Sequence, residues 1–142
     1  MLFRSLEYLE TMGVPVIGFQ TNEFPAFYSR SSGLSLSLSL DSTQHVAAFI
    51  HEKRKLNLAG GVLIANPIPR EFEIEQSIIE PAIAQAVEEA AHKGIHGKEL
   101  TPFLLKRLNE ITQGQSQQAN KQLVLNNAAI AASVAEIGRA HV

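Results

Sequence analysis

Gly13-Val-Pro-Val-Ile-Gly-Phe-Gln-Thr-Asn-Glu-Phe-Pro-Ala-Phe-Tyr-Ser-Arg-Ser-Ser-Gly33 is the stretch from which the fold of this chain is read. Its first part, Val14 to Phe19, is a nearly continuous apolar run, the composition of a strand covered on both faces. Pro15 cannot donate to a sheet ladder, so it marks either the strand's first residue or an edge. The rest is a loop with aromatics (Phe24, Phe27, Tyr28), hydroxyls (Thr21, Ser29, Ser31, Ser32) and one cation, Arg30. Ordering such a loop costs conformational entropy, and loops of this make are ordered where a site needs them.

Upstream, Leu6 to Thr11 reads as the last turns of a helix that Gly13 stops. Downstream, Leu34-Ser-Leu-Ser-Leu-Ser-Leu40 alternates strictly, which predicts a strand with leucines inward and serines outward. Asp41 or Ser42 can cap the next helix, which runs to about Leu56 with Val46, Phe49, Ile50 and Lys53 on one face. Val62 to Ala65 is expected to be a buried strand, stopped by Asn66-Pro-Ile-Pro69. A helix follows from about Glu75 to His92, its buried face Ile78, Ile79, Ala82, Ile83, Ala86, Val87 and Ala90; Pro81 predicts a kink or a later start. Thr101-Pro102 reads as an N-cap hydroxyl followed by proline at the first helical position. Gln113-Gly114 closes that helix, and Ser116 can cap a last one running to about Glu136.

The order is α, β, β, α, β, α, α, α: an α/β chain of about three strands and four to five helices. At 142 residues it fits one domain with a single core. The net charge of -2 gives no electrostatic case for nucleic acid or anionic membrane, and no apolar run is long enough to span a bilayer. Cysteine is absent, which removes disulfides, thiolate catalysis and Cys-ligated zinc. No signal-peptide pattern opens the chain, so a cytoplasmic protein is expected. Residues 1–5 and 137–142 do not continue the patterns beside them. They are expected to be non-native ends, resembling translated sequencing adapter, against the alternative of ordinary frayed termini.

Candidate chemistry is sparse. No two of His45, His51, His92, His96 and His141 have helix-face ligand spacing with a carboxylate between, and Asp41 is the single aspartate. No metal ligands are assigned. Serines are plentiful without a Gly-x-Ser-x-Gly elbow, and Gly60-Gly61 precedes a strand rather than a helix, so it is no phosphate loop. Glu23 is either a raised-pKa acid or a surface carboxylate. The planar fork of Arg30 suits phosphate or carboxylate, or else an ion pair with Glu23 or another acid. Asn66 follows a strand directly, where α/β folds collect ligands, or it forms a simple Asn-Pro turn. Asn120 and Asn127 are seven apart and share a helical face with Leu123, Val124, Ala128, Ala131 and Val134. Two amides on an apolar stripe are either satisfied in the core or, for Asn120 near the helix start, turned to a polar ligand such as a sugar hydroxyl or a base edge.

The opening stretch resembles the GxQT-x-x-FPAFY-x-RxSG signature of the pseudouridine-5'-phosphate glycosidases, also called the indigoidine-synthase-A-like family. Four further stretches match in the family's order: Gly60 to Pro69, Gly97 to Leu105, Thr112 to Asn120, and Leu123 to Ala128. The likeness covers roughly Leu6 to Glu136 and corresponds to the C-terminal part of an α/β/α layered domain, less than half of a full-length member.

The resemblance implies an enzyme that cleaves the C1'–C5 bond of pseudouridine 5'-phosphate to give uracil and ribose 5-phosphate. It also implies a homotrimer with a divalent metal, typically manganese, whose ligands are absent from this chain. The family's acid glutamate, metal-binding aspartate and Schiff-base lysine belong to the missing portion, so none of Lys53, Lys55, Lys93, Lys98, Lys106 or Lys121 inherits the lysine's role. One active-site residue carries over, the asparagine of Ser-x-x-x-Asn, here Asn120. Tyr28, Arg30, Asn66, Thr101 and Asn127 stand as substrate-binding candidates beside it, one wall of a phosphosugar pocket. Gln113-Gly-Gln departs from the family's usual glycine pair after the threonine, and Lys121 replaces an apolar residue. The chain alone is then expected to be inactive. The alternative is a non-catalytic small-molecule-binding or oligomerising module that retains the scaffold.

Overall fold

Three parallel strands form the sheet. β1 (Val16–Phe19) lies between β2 (Leu38–Leu40) and β3 (Leu63–Ala65), with Ile17 paired to Leu38 on one side and to Ile64 on the other. The structure is a computed structural model and describes residues 2–139. Every residue of β1 is buried, as its unbroken apolar composition predicts for a central strand. Pro15 sits just before it, where a missing donor costs nothing, and its carbonyl accepts from the Leu63 N–H at 2.9 Å. Of the two roles open to Pro15, entry to the strand is the one adopted, and the edge is not.

The described residues form five helices: α1 (Leu2–Thr11), α2 (Thr43–Lys55), α3 (Gln76–His92), α4 (Leu100–Ile111) and α5 (Gln115–Arg139), with short 3-10 turns at Arg70–Phe72 and Gly97–Glu99. α1 and α5 run into the segments expected to be foreign, at 2–5 and 137–139; Met1 and residues 140–142 lie outside the described residues. α2 packs on α5, α3 on α4 and α4 on α5. Parallel neighbours require a long crossover, usually a helix. Here α2 lies on the passage from β2 to β3, which skips over the central β1, while residues 20–37 join the neighbours β1 and β2 without a helix. The main core joins Tyr28 and Ile68 from the loops, Ile74, then Ile79, Ala82 and Ala86 of α3, Leu108 of α4, and Ala119 and Leu123 of α5.

Several expectations give way. β2 covers only Leu38–Leu40; the leucine-in, serine-out alternation persists through Leu34–Leu38, but Ser35 there makes an isolated antiparallel bridge to Glu23. Of the two caps expected for α2, Ser42 is the one used, its hydroxyl accepting from the His45 N–H at 3.2 Å. β3 is an edge strand with Leu63 partly exposed. α3 starts at Gln76 and runs through Pro81, and only the narrower stripe Ile79, Ala82, Ala86 and Ala90 is buried; Ile78 is 51% exposed, and Ile83 and Val87 also face out. Thr101 is not a cap, because α4 begins at Leu100 after the 3-10 turn. Ser116 lies inside α5, buried, its N–H held by the Thr112 hydroxyl at 3.1 Å. The Asn120–Asn127 face is not buried along its length either, with Val124 62% exposed. Periodicity reports which residues share a face, but how much of that face another element covers is a tertiary matter.

Candidate functional site

The loop after β1 is shaped first by Gly18. A Cβ built there would lie 2.1 Å from the Thr21 carbonyl oxygen, so the chain folds back on its own strand only because this residue has no side chain. Gln20 takes a left-handed φ of 54° and ties its N–H to the Leu40 carbonyl at 2.9 Å, closing the loop onto β2. Phe24 and Leu36 N–H groups then donate to Leu34 and Asn22 carbonyls, both at 2.8 Å, so residues 22–36 form a small antiparallel hook. Its tip is pinned by hydroxyls: Ser32 donates to the Phe24 carbonyl and accepts from the Leu34 N–H.

Glu23 belongs to this scaffold. Its carboxylate accepts from the Ser31 hydroxyl and from the Gly33 N–H, and the Ser31 bond first, then Gly33, hold its pKa below the ordinary carboxylate value. The raised-pKa acid considered for Glu23 is therefore corrected: hydrogen bonds to the charged form push the other way. Arg30 makes no pair with Glu23. Its guanidinium donates to the Ile68 carbonyl and its backbone N–H to the Glu73 carboxylate at 2.8 Å, which docks the hook on the segment leading into α3.

Tyr28 is 4% exposed and sits in the core, its ring edge-on to Phe27 with centroids 4.7 Å apart. Burial raises the phenol's pKa, and the neighbouring Ser116 side chain partly offsets that. Tyr28 and Ser116 reach the floor of an open cavity of about 260 Å³ lined also by Asn120, Asn109, Leu105 and Lys106. Sequence-predicted Tyr28 and Asn120 thus meet. Asn109 was not singled out and Ser116 was read as a cap. The available signal was the tight Gln113-Gly114 turn, because an αα-hairpin sets residues on either side of it face to face. Asn109 Oδ1 is buried without a hydrogen-bond partner, a cost of roughly 1–3 kcal/mol.

The other candidates lie elsewhere. Asn66, at the carboxyl end of β3, donates to Asn127 Oδ1 at 2.9 Å. This pair borders a separate groove of about 720 Å³ between α2 and α5, lined mainly by Ala47, Ile50, Ile64, Ile130 and Val134. Two helical turns carry Asn127 about 10 Å along the axis from Asn120, so one face serves two hollows. Thr101 is exposed in the first turn of α4 and lines neither. Among the described residues no group of three or more His, Asp or Glu side chains is placed to hold a metal ion, so the residues present do not fit a divalent cation. No helix among them is long and apolar enough to cross a membrane. Lys53 spends its ammonium donors on the carbonyls of Leu58, Ala59 and Gly60 at 2.7, 2.6 and 2.9 Å, the role of a loop clamp.

Comparison with known proteins places this geometry in context. The family model described as "Indigoidine synthase A like protein" matches residues 2–137. A pseudouridine-5'-phosphate glycosidase of Caldanaerobacter subterraneus is 52% identical over 132 residues, covering 93% of this chain and 43% of the relative. One from Geobacillus kaustophilus is 55% identical, covering 92% and 44%. The chain therefore spans less than half the length of these curated relatives. Among solved structures, the prealnumycin C-glycosynthase AlnA in complex with ribulose 5-phosphate superposes with a TM-score of 0.83 at 31% identity, covering 95% of this chain and 44% of that one. An indigoidine synthase A-like protein from Thermotoga maritima gives 0.72 at 34% identity, covering 94% and 42%.

Proposed function

The chain belongs to the indigoidine synthase A-like family, and from that premise we propose that it is the carboxyl-terminal portion of a pseudouridine-5'-phosphate glycosidase. The reaction cleaves the C1'–C5 carbon–carbon bond and yields uracil and ribose 5-phosphate. The observation that carries the reading is identity of 52% and 55% to relatives of that name across more than nine-tenths of the chain. A structural neighbour complexed with ribulose 5-phosphate supports a phosphosugar as one half of the ligand. The complete protein is read as a cytoplasmic homotrimer. A divalent metal, manganese by family, belongs with residues outside this chain, and no step is assigned to it here.

Uracil leaves poorly through carbon, so the reaction needs an electron sink on the sugar and a proton for the base carbon. The lysine and glutamate that the family uses for these tasks lie outside this chain. What this chain supplies is positioning. Asn120 stands half-buried beside the Tyr28–Ser116 pair, with both an amide donor and a carbonyl acceptor to offer. A donor held against a base carbonyl favours the charge that develops there as the carbon–carbon bond breaks.

The exposed apolar side chains argue against a free-standing module. Ile78 and Val87 on α3 and Val124 and Leu125 on α5 leave apolar surface that a complete family fold has the extra chain to cover.

The test joins residues 6–136 to the amino-terminal portion of the Caldanaerobacter relative and follows uracil release from pseudouridine 5'-phosphate. The joined enzyme is expected to turn over, the 142-residue chain alone is not, and Asn120→Ala should lower kcat/KM by about tenfold or more, the value of one or two lost polar contacts. A joined enzyme that folds but releases no uracil overturns the reading, and unchanged kinetics in the variant remove Asn120 from the site.

A further inference from the structure

The cavity that holds Tyr28 and Asn120 has one wall on α4, with Leu105, Lys106 and Asn109, and the other on α5, with Ser116, Gln117 and Asn120. The walls meet at the turn from Thr112 to Gly114, and one hydroxyl ties them there. Thr112 Oγ1 donates to the Leu108 carbonyl at 2.7 Å in the last turn of α4 and accepts from the Ser116 N–H at 3.1 Å in the first turn of α5. Both residues are buried, Thr112 at 7% and Ser116 at 1% exposure. The first N–H groups of a helix have no partner within it, so the Ser116 N–H depends on this oxygen. Gln113 stands at a left-handed φ of 51°, against its steric preference, so hydrogen bonds rather than residue propensity fix the turn. Asn120 lies four residues past Ser116, about 6 Å along the axis, and is carried by the end of α5 that the hydroxyl anchors.

We propose that Thr112 is a positioning residue of this site, its hydroxyl setting the spread of α4 and α5 and thereby the reach of Asn120 toward the substrate. The inference rests on the glycosidase reading and deepens it. Thr112 does not line the cavity and touches no reacting atom. Valine matches the shape of threonine but leaves the Ser116 N–H buried without an acceptor. The first turn of α5 must then move to find another one, and Asn120 moves with it. A misplacement of about 1 Å in such a group can cost up to about a hundredfold in rate. Serine keeps the oxygen and removes only a methyl group.

The joined enzyme, residues 6–136 fused to the amino-terminal portion of the Caldanaerobacter relative and assayed well below its thermal midpoint, tests this. Thr112→Val should lower kcat/KM for pseudouridine 5'-phosphate by about tenfold, mostly in kcat, and Thr112→Ser should stay within about twofold of the unsubstituted enzyme. In the Asn120→Ala background, Thr112→Val should change kcat/KM by less than about twofold, because the group it positions is gone. A role in stability alone would lower the midpoint and leave kcat per folded molecule unchanged in both backgrounds. Crystal structures of the joined protein give a readout that needs no turnover: Thr112→Val should displace Asn120 by about 0.5 Å or more, and Thr112→Ser should not. Unchanged kcat/KM in Thr112→Val, equal losses with and without Asn120, failure of serine to rescue, or collapse of the valine variant overturns the proposal. Displacement of Asn120 in a joined protein that folds but releases no uracil would leave this inference standing and remove the glycosidase reading. Turnover with losses independent of Asn120 would do the reverse.

Discussion

Replacing Gly18 by alanine isolates the steric argument on which the hook, and with it the cavity floor, depends. The added Cβ would stand 2.1 Å from the Thr21 carbonyl oxygen and 3.0 Å from Leu36 Cδ1, where real Cβ atoms essentially never come within 3.0 Å. The backbone turn must therefore retreat by about 0.9 Å. The hydrogen bonds in its path are Gln20 N–H to Leu40 O at 2.9 Å, Glu23 N–H to Thr21 Oγ1 at 3.1 Å and Leu36 N–H to Asn22 O at 2.8 Å. At about 1 kcal/mol net for each, their loss costs about 3 kcal/mol. Reduced freedom of the unfolded chain returns about 0.4–1 kcal/mol, since Gly18 is not in the left-handed region and alanine can adopt its backbone angles. The expected net destabilisation is about 2–3 kcal/mol, a thermal midpoint lowered by about 6–10 °C for a chain of this size. Gly61→Ala is the matched control: nothing lies within 4 Å of its Cβ position, and the entropic gain alone should leave it neutral or slightly stabilised. Thermal unfolding followed by far-UV circular dichroism decides. A Gly18→Ala chain that melts with or above the control refutes the claim that steric closure of the hook, rather than turn propensity, holds this loop.

Arg107 bridges α3 and α4 through a two-pronged contact to Glu89, at 2.7 and 2.9 Å, and a further bond to Glu110. The Arg107 hydrogen bonds, then Gln85, lower the Glu89 pKa from the ordinary value near 4.5 to about 2. A depressed folded pKa contributes stability that is fully present above the ordinary value and is lost as pH falls through the folded one. Glu89→Gln should therefore flatten the fall of the thermal midpoint between about pH 4.5 and 2, and an unaltered slope would show the bridge to be silent. Gln113 holds a left-handed φ of 51°, a region that glycine enters without steric cost. Gln113→Gly should raise stability by about 0.5–1 kcal/mol in denaturant unfolding, and a loss would mean that its side chain makes a compensating contact.

Much of the architecture was legible in the chain. The unbroken apolar run at Val16–Phe19 could be satisfied only by cover on both faces, and it is the middle strand. Ser42 and Gln113-Gly114 marked helix ends through local hydrogen bonds and backbone angles, which need no distant partner to be read. The burial errors share one cause. Ile78, Val87 and Val124 sit in regular patterns, but cover by another element decides whether a pattern is buried, and a one-dimensional period carries no record of it. Thr101 and Ser116 were assigned by cap chemistry that a 3-10 lead-in and the Thr112 hydroxyl supply differently.

The candidate site divides the same way. Residue types and order alone marked the aromatic hook, its kinship and Asn120 as a candidate, because those depend on which atoms the chain carries. That Tyr28 meets Asn120 while Asn127 turns to Asn66, that Glu23 and Arg30 brace the hook, and that Asn109 faces the same cavity were decided only by tertiary structure. These are distances between groups brought together by helix packing and one tight turn, and close packing, which the order of residues does not spell out, sets them.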